Sequence, residues 1–312
     1  MPSAIENSVL HDPERPPVAL IAGPTASGKS AVALRLAEAT GGVIVNADAS
    51  QVYADLAVLT ARPPAADLAR AEHRLFGHVD GLEDYSAARW ASEARAQIDA
   101  AHAQGRSAIL VGGTGLYLDT LLRGIAPVPE IDPAIRAAVR AMPVSQSWPL
   151  LAREDPEAAA RLRPSDTTRV ARALEVVRST GRPLAEWQKH REGGIIGRMP
   201  IRAAVVMLPR DVLHARAAQR LDEMLKGGAV EEVATLMARD LPADRPVLRA
   251  LGVREIADML AGRTTPEEAH AAIFTLTRAY QKRQTTWARN RQRDWTMRAP
   301  GEITSMEDLA IL

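Results

Sequence analysis

The sequence predicts an α/β fold, a parallel sheet flanked by helices and interrupted by an all-helical insertion, on three observations. Four short apolar runs, Val18–Ala22, Val43–Ala47, Ala108–Val111 and Ala203–Leu208, are rich in Val, Ile or Ala and are separated by long helical segments. Such runs read as strands buried on both faces of a parallel sheet. The first run leads through a glycine-bounded loop directly into a helix. Between Ile125 and Pro200 strand signals vanish, and helical pieces are punctuated by Pro133, Pro149, Pro156, Pro164 and Pro183. The expected division is a flexible tail over residues 1–16, a core over 17–125 and 200–312, and a helical insertion over 126–199.

The elements follow in chain order. The start, "MPSAIENSVLHDPERPP", has prolines and polar residues but no basic and apolar regions of a signal peptide. In "IAGPTASGKSAVALRLA", Gly23, Gly28, Lys29 and Ser30 have the spacing G-x-x-x-x-G-K-[ST]. The glycines let backbone N–H groups from Gly23 through Thr25, Ala26, Ser27 and Gly28 converge on an anion. Lys29 adds a compact positive charge, and the Ser30 hydroxyl can bind Mg²⁺. Strand, loop and helix make the core P-loop NTPase-like, and on spacing alone the loop asks for ATP. The helix, with Ala31, Val32, Leu34 and Leu36 apolar, should stop at Gly41–Gly42.

The second strand runs into "VIVNADASQVY". Carboxyl ends of parallel strands line the ligand crevice, so Asp48 should face the phosphate loop. There it could bind Mg²⁺ through water, act as a general base, or simply cap a helix. The third strand ends in Gly112–Gly113–Thr114, without the acid that an ordinary P-loop NTPase uses to hold Mg²⁺ and position water. Its glycines allow close backbone approach to a ligand or a tight turn, and Thr114 offers a hydroxyl. In the insertion, Ser165 is placed to cap a helix through Val177, and Arg161, Arg163, Arg169 and Arg172 form a basic cluster. After the fourth strand, Arg216 and Arg220 are four apart. They can reach one anion together or serve as surface ion pairs.

The last helix opens with a capping box, Thr265 to Glu268, with Pro266 at its first position. From His270 to Arg293 it has Arg278, Lys282, Arg283, Arg289, Arg291 and Arg293 and no acid. Positions 278, 282, 289 and 293 should share a face. That stripe suits a nucleic-acid backbone or is a solvated basic surface. Tyr280 and Trp287 can stack on bases or pack in the core.

Composition narrows the function. The 312 residues carry a net charge of +1, so any nucleic-acid surface must be a local patch. Absence of cysteine excludes disulfides and cysteine-ligated zinc or iron–sulfur sites. No uninterrupted apolar run approaches membrane-spanning length, and a cytoplasmic protein without a membrane partner is expected.

Taken together, these elements resemble the tRNA dimethylallyltransferases. The likeness is collinear from Val18 to Arg289 and includes "GPTASGKS", "ADASQVY", "TARP", "YSAA", "LVGGTGLYL", "DPEAAARLRPSDTTRVARALEV", "ALGVREI" and "TRAYQKRQTTWAR". It implies transfer of a dimethylallyl group from dimethylallyl diphosphate to N6 of adenosine 37, beside the anticodon, with Mg²⁺ assisting. By resemblance Asp48 is the general base, and Thr114 lies beside the reacting atoms. Lys29, Ser30 with Mg²⁺, and Arg216 or Arg220 would neutralise the departing diphosphate. No water needs activation, which accounts for the missing acid after the third strand.

The implied contacts to the tRNA anticodon stem-loop match Asp48, Ala49, Ser50, Gln51, Thr114, Arg136, Thr168, Arg169, Arg172, Arg249, Gly252 and Arg254. They continue through Lys282, Arg283, Gln284, Trp287 and Arg289. The chain departs from the family's pattern at Ala49 (commonly Ser), Arg62 (commonly Lys) and Val253 (commonly Tyr). A monomer is expected. Alternatives are prenylation of free adenine nucleotides, a small-molecule kinase using ATP, and a non-enzymatic RNA binder. The insertion and basic helix argue against the first, and the phosphate loop against the last.

Overall fold

The computed structural model describes residues 15–312. Of the tail expected over 1–16, residues 1–14 lie outside the described residues. The chain divides into two compact units: the first runs to Leu121 and resumes at Ile195, and the second covers Leu122–Gly194.

The first unit is built on seven strands: β1 (Val18–Ala22), β2 (Val43–Asn46), β3 (Glu72–Arg74), β4 (Ala108–Gly112), β5 (Ile201–Val206), β6 (Thr296–Arg298) and β7 (Ala310–Ile311). The order is β3-β2-β4-β1-β5-β6, with β7 pairing on β5. Every pair is parallel except β5 with β7. Strands β1, β2 and β4 are buried along their whole length, as their apolar runs require. The fourth apolar run was expected at Ala203–Leu208, but its strand starts at Ile201, which pairs with Val18 of β1. It ends at Val206 because the chain soon turns into Pro209, the residue before the next helix.

Connections of the first unit are helical: α1 (Lys29–Thr40), α2 (Ala65–Leu68), α3 (Ala87–His102) and α4 (Gly115–Arg123). Helix α1 ends at Gly41, whose left-handed φ of 67° lets its N–H reach Ala37 O. Trp90 of α3 is fully buried, donates to Asn46 O at 2.7 Å and stacks on Tyr117 of α4 at 4.6 Å. That contact fixes the end of β2, where Asp48 follows.

The second unit contains α5 (Pro133–Ala141), α6 (Val144–Glu154), α7 (Pro156–Arg161), α8 (Thr167–Thr180) and α9 (Leu184–Trp187). Its core joins Val139, Leu151, Val170 and Leu174. Helix α8 is capped by Asp166, whose carboxylate accepts Arg169 N–H at 3.3 Å, so the cap is one residue later than Ser165. Either side chain can cap a helix; the turn of "RPSD" brings the aspartate to the open N–H groups.

The first unit then continues with α10 (Arg210–Lys226), α11 (Ala229–Ala238), α12 (Val253–Leu260) and α13 (Pro266–Arg291). Thr265 and Glu268 make the expected capping box on α13. The helix ends before Gln292, so Arg293 falls outside it and the basic face reduces to 278, 282 and 289. No helix among the described residues is long and apolar enough to cross a membrane.

Candidate active site

The loop between β1 and α1 has the backbone that its spacing requires. Gly23 (φ 155°) and Gly28 (φ 91°) sit where a side chain is strained, and Ala26 is also left-handed at φ 65°. A Cβ on Gly23 would lie 2.5 Å from Val206 O, so that glycine also admits β5. Ser27 is fully buried, Thr25, Ala26, Gly28 and Lys29 are half-buried, and Ser30 is exposed. Burial holds the Lys29 ammonium down at about 8; Asp48 opposes that shift and Arg220 adds to it.

Asp48 follows β2 and lines, with Thr25, Ala26, Lys29 and Ser30, a cavity of about 110 Å³. Its Oδ1 accepts Ser50 N–H at 3.0 Å and Ser50 Oγ–H at 2.8 Å, while its own N–H donates to Asn46 Oδ1 at 2.8 Å. The carboxylate is thereby oriented, and no hydrogen bond among the described residues engages Oδ2. Thr114 Oγ1 accepts Ala49 N–H at 2.9 Å, and Tyr280 lines the same cavity as Asp48. Burial and the nearby Asp48 charge push the Tyr280 phenol up, so it stays neutral.

Of the two candidate arginines, Arg220 lines the cavity. Burial depresses its guanidinium pKa, with Glu223 and Asp48 opposing. Arg216 is exposed; its Nη1 lies 3.6 Å from where a Cβ on Gly28 would stand. The cavity also has an apolar lining from Leu59, Leu221, Met224, Leu251 and Ile273. Sequence reasoning missed this lining, because aliphatic residues scattered over several elements carry no local signature. Gly252 belongs to it indirectly, since a Cβ there would meet Leu59 at 3.0 Å.

Several residues expected to meet RNA have partners inside the unit. Gln51 Nε2 donates to Thr60 O at 2.8 Å and Ala61 O at 2.9 Å, closing the loop around "TARP". Gln284 is buried against the phosphate loop. Trp287 packs on α4, where a Cβ on Gly115 would lie 2.2 Å from its Nε1. The glycines of "LVGGTG" likewise make room for protein atoms: a Cβ on Gly112 would lie 2.1 Å from Ala47 O, and one on Gly113 2.0 Å from Gln284 Nε2. Val253 is 2 % exposed, so this position faces the core.

Lys282, Arg283, Arg289, Arg249 and Arg254 are exposed. Arg278, Lys282 and Arg289 border a second cavity of about 620 Å³ together with Arg210 and His214, and no acid lines it. In the second unit Arg140 of α5 and Arg172 of α8 pair with buried Glu175, Arg140 Nε lying 2.9 Å from its Oε1 and Arg172 Nη1 3.7 Å from its Oε2, and the charge of Arg136 on α5 acts on Arg172. Two cations pair with one carboxylate and Arg136 adds a third charge nearby, which leaves a positive surface there. Thr168 and Arg169 are exposed on the first turn of α8, and Arg169 pairs with Asp166 at 3.1 Å.

No cluster of three or more His, Asp or Glu side chains suited to a metal ion occurs among the described residues. The Ser30 hydroxyl and the Asp48 carboxylate both line the cavity beside the loop. This set fits Mg²⁺, which is commonly held by one or two protein oxygens plus phosphate and water.

Sheet, loop and crevice define a P-loop protein whose loop borders a cavity with a partly apolar lining. A family model described as IPP transferase matches residues 51–291, and the chain belongs to the IPP transferase family. The match begins just after Asp48 and the phosphate loop. A tRNA dimethylallyltransferase of Sphingopyxis alaskensis is 62% identical over 274 residues, 88% of this chain and 90% of that protein. One from Zymomonas mobilis is 52% identical over 287 residues, 91% of each chain. Among solved structures, the tRNA isopentenylpyrophosphate transferase of Bacillus halodurans aligns with a TM-score of 0.64 at 30% identity, covering 93% of this chain and 90% of that one. A eukaryotic dimethylallyltransferase acting on tRNA aligns with a TM-score of 0.76 at 27% identity, over 88% and 70%.

Proposed function

We propose that this chain transfers the dimethylallyl group of dimethylallyl diphosphate to N6 of adenosine 37 in tRNA and releases diphosphate. One observation carries the reading: phosphate loop, carboxylate and apolar wall surround a single cavity. A kinase needs the first two, but the aliphatic wall suits a five-carbon allylic tail.

The diphosphate rests on the N–H groups from Ala26 to Ser30 with Lys29 and Arg220 around it. Ser30 and Asp48 would hold Mg²⁺, which would supply neutralising charge for the departing diphosphate. The N6 lone pair forms the new bond to the allylic C1. The C1–O bond breaks, its electron pair leaves with diphosphate, and the N6 proton passes to Asp48 Oδ2. Preorganised cations at the departing group stabilise the charge that develops there. Reaching N6 requires the base to leave the stack, a cost that base-modifying enzymes meet with contacts to the flanking backbone. The exposed face of α13 and the arginines of α5 and α8 are suited to those contacts.

The deciding experiment combines protein, Mg²⁺, dimethylallyl diphosphate and an unmodified anticodon stem-loop with adenosine at 37. The expected product carries the mass of one prenyl group. Turnover of free AMP or ATP without modified RNA would sink the reading. The basic face is tested separately by Lys282→Ala with Arg289→Ala. Stem-loop affinity should fall, and the slope of log affinity against log salt should shrink by about two. An unchanged slope returns this face to an ordinary solvated surface.

A further inference from the structure

Gln281 and Gln284 take no part in the chemistry above, yet only 3% and 8% of their surfaces are exposed on a helix whose intervening Lys282 and Arg283 face solvent. They are three residues apart and so share a face of α13. Gln284 Oε1 accepts Thr25 N–H at 2.8 Å, and its Nε2 donates to Gly113 O at 3.1 Å. Gln281 Nε2 donates to Thr25 O and to Leu213 O, each at 3.1 Å. The N–H and the C=O of Thr25, inside the phosphate loop, are therefore both fastened to α13. The same two amides continue to the end of β4 through Gly113 and to α10, which carries Arg220, through Leu213.

Such fastening has costs that a filler residue would avoid. Gln281 Oε1 is buried with no hydrogen-bond partner among the described residues. The Thr25 N–H is withdrawn from any anion, so the cradle begins at Ala26. Gly113 must lack a side chain to admit Gln284. On the other side, Ala26 holds a left-handed φ of 65°, a conformation that persists only where the surroundings over-determine it. The two glutamines supply that determination at the residue immediately before.

We propose that Gln281 and Gln284 are positioning residues that hold the phosphate loop in its diphosphate-binding shape by fixing Thr25. The polarity at Gln284 is specific, because one end must accept from Thr25 while the other donates to Gly113. A carboxylate there keeps the first bond, loses the second and places negative charge beside the diphosphate. This inference rests on the diphosphate reading of the loop given above.

The test uses the full chain with Gln284→Glu, Gln284→Met and Gln281→Met. Binding of inorganic diphosphate is measured by calorimetry beside steady-state kinetics and thermal unfolding. Gln284→Glu should weaken inorganic diphosphate about tenfold or more and raise KM for dimethylallyl diphosphate in step, with kcat and KM for the stem-loop within about threefold. The two Met variants should move the same constant by about fivefold, and they supply the reading should the Glu variant not fold. A folded Gln284→Glu or Gln284→Met protein with unchanged diphosphate affinity overturns the proposal. So does an equal loss in kcat and in both KM values, which marks general damage. Failure of the transferase reading looks different: the parent protein binds diphosphate, the variants weaken it, and no RNA is modified.

Discussion

Asp48→Asn is expected to lower kcat for prenyl transfer about a thousandfold while leaving stem-loop affinity within about twofold. Adenine N6 is a poor nucleophile, since its lone pair is delocalised into the ring, and bond formation requires loss of its proton. Asp48 is the carboxylate that shares the cavity with the phosphate loop. Ser50 holds Oδ1 through two hydrogen bonds, and Oδ2 has none among the described residues. Asparagine keeps the volume and an acceptor for Ser50 but puts an NH₂ group where the base must be. Ground-state contacts change little, so the loss should appear in the chemical step. Single-turnover rates beside stem-loop binding separate the two, and a near-normal rate for the variant removes Asp48 as the base.

That carboxylate could be found before the fold because two local signals converge on it: a strand that ends just before it and an earlier strand of the same parallel sheet that leads into a phosphate loop. Strands β1, β2, β4 and β5 were legible for the same reason, since burial on both faces forces continuous apolar runs. Strand β3, with the sequence Glu-His-Arg, and β6, with Thr-Met-Arg, were not. They lie at the edges of the sheet order, are only partly buried, and form in response to their neighbours rather than to their own composition.

Within the site, loop residues were legible and bracing residues were not. Gln281 and Gln284 sit among cations on a helix that reads as a solvent face, and only tertiary packing shows that their amides turn inward. Trp287 and Gly115 explain each other in the same way. Arg216 and Arg220 are alike in sequence, yet one turn of α10 separates an exposed side chain from one that lines the cavity. Residues that touch a phosphate need a defined spacing; residues that hold the phosphate loop need only be nearby in space.

Lys29 should impose a pH limit on diphosphate binding. The ammonium is the form that binds, and burial in the free protein, with Arg220 adding to it and Asp48 opposing, holds its pKa at about 8 instead of 10.5. Below that value Lys29 is charged, and KM for dimethylallyl diphosphate should be independent of pH on its account. Above it the free protein loses the charge, so KM should rise about tenfold per pH unit. Bound diphosphate favours the ammonium, so the pKa rises in the complex, protons are taken up on binding at high pH, and kcat at saturation holds to higher pH than kcat/KM. Lys29→Arg keeps its charge throughout this range; its kcat/KM should be lower, because the fork does not fit a site shaped for a point charge, but flat. Lys29→Met should show a pH-independent KM raised on the order of a hundredfold. Measuring KM from about pH 7 to about pH 10 in the three proteins decides the matter. A rising limb that survives in Lys29→Arg belongs to another group and removes Lys29 as its source.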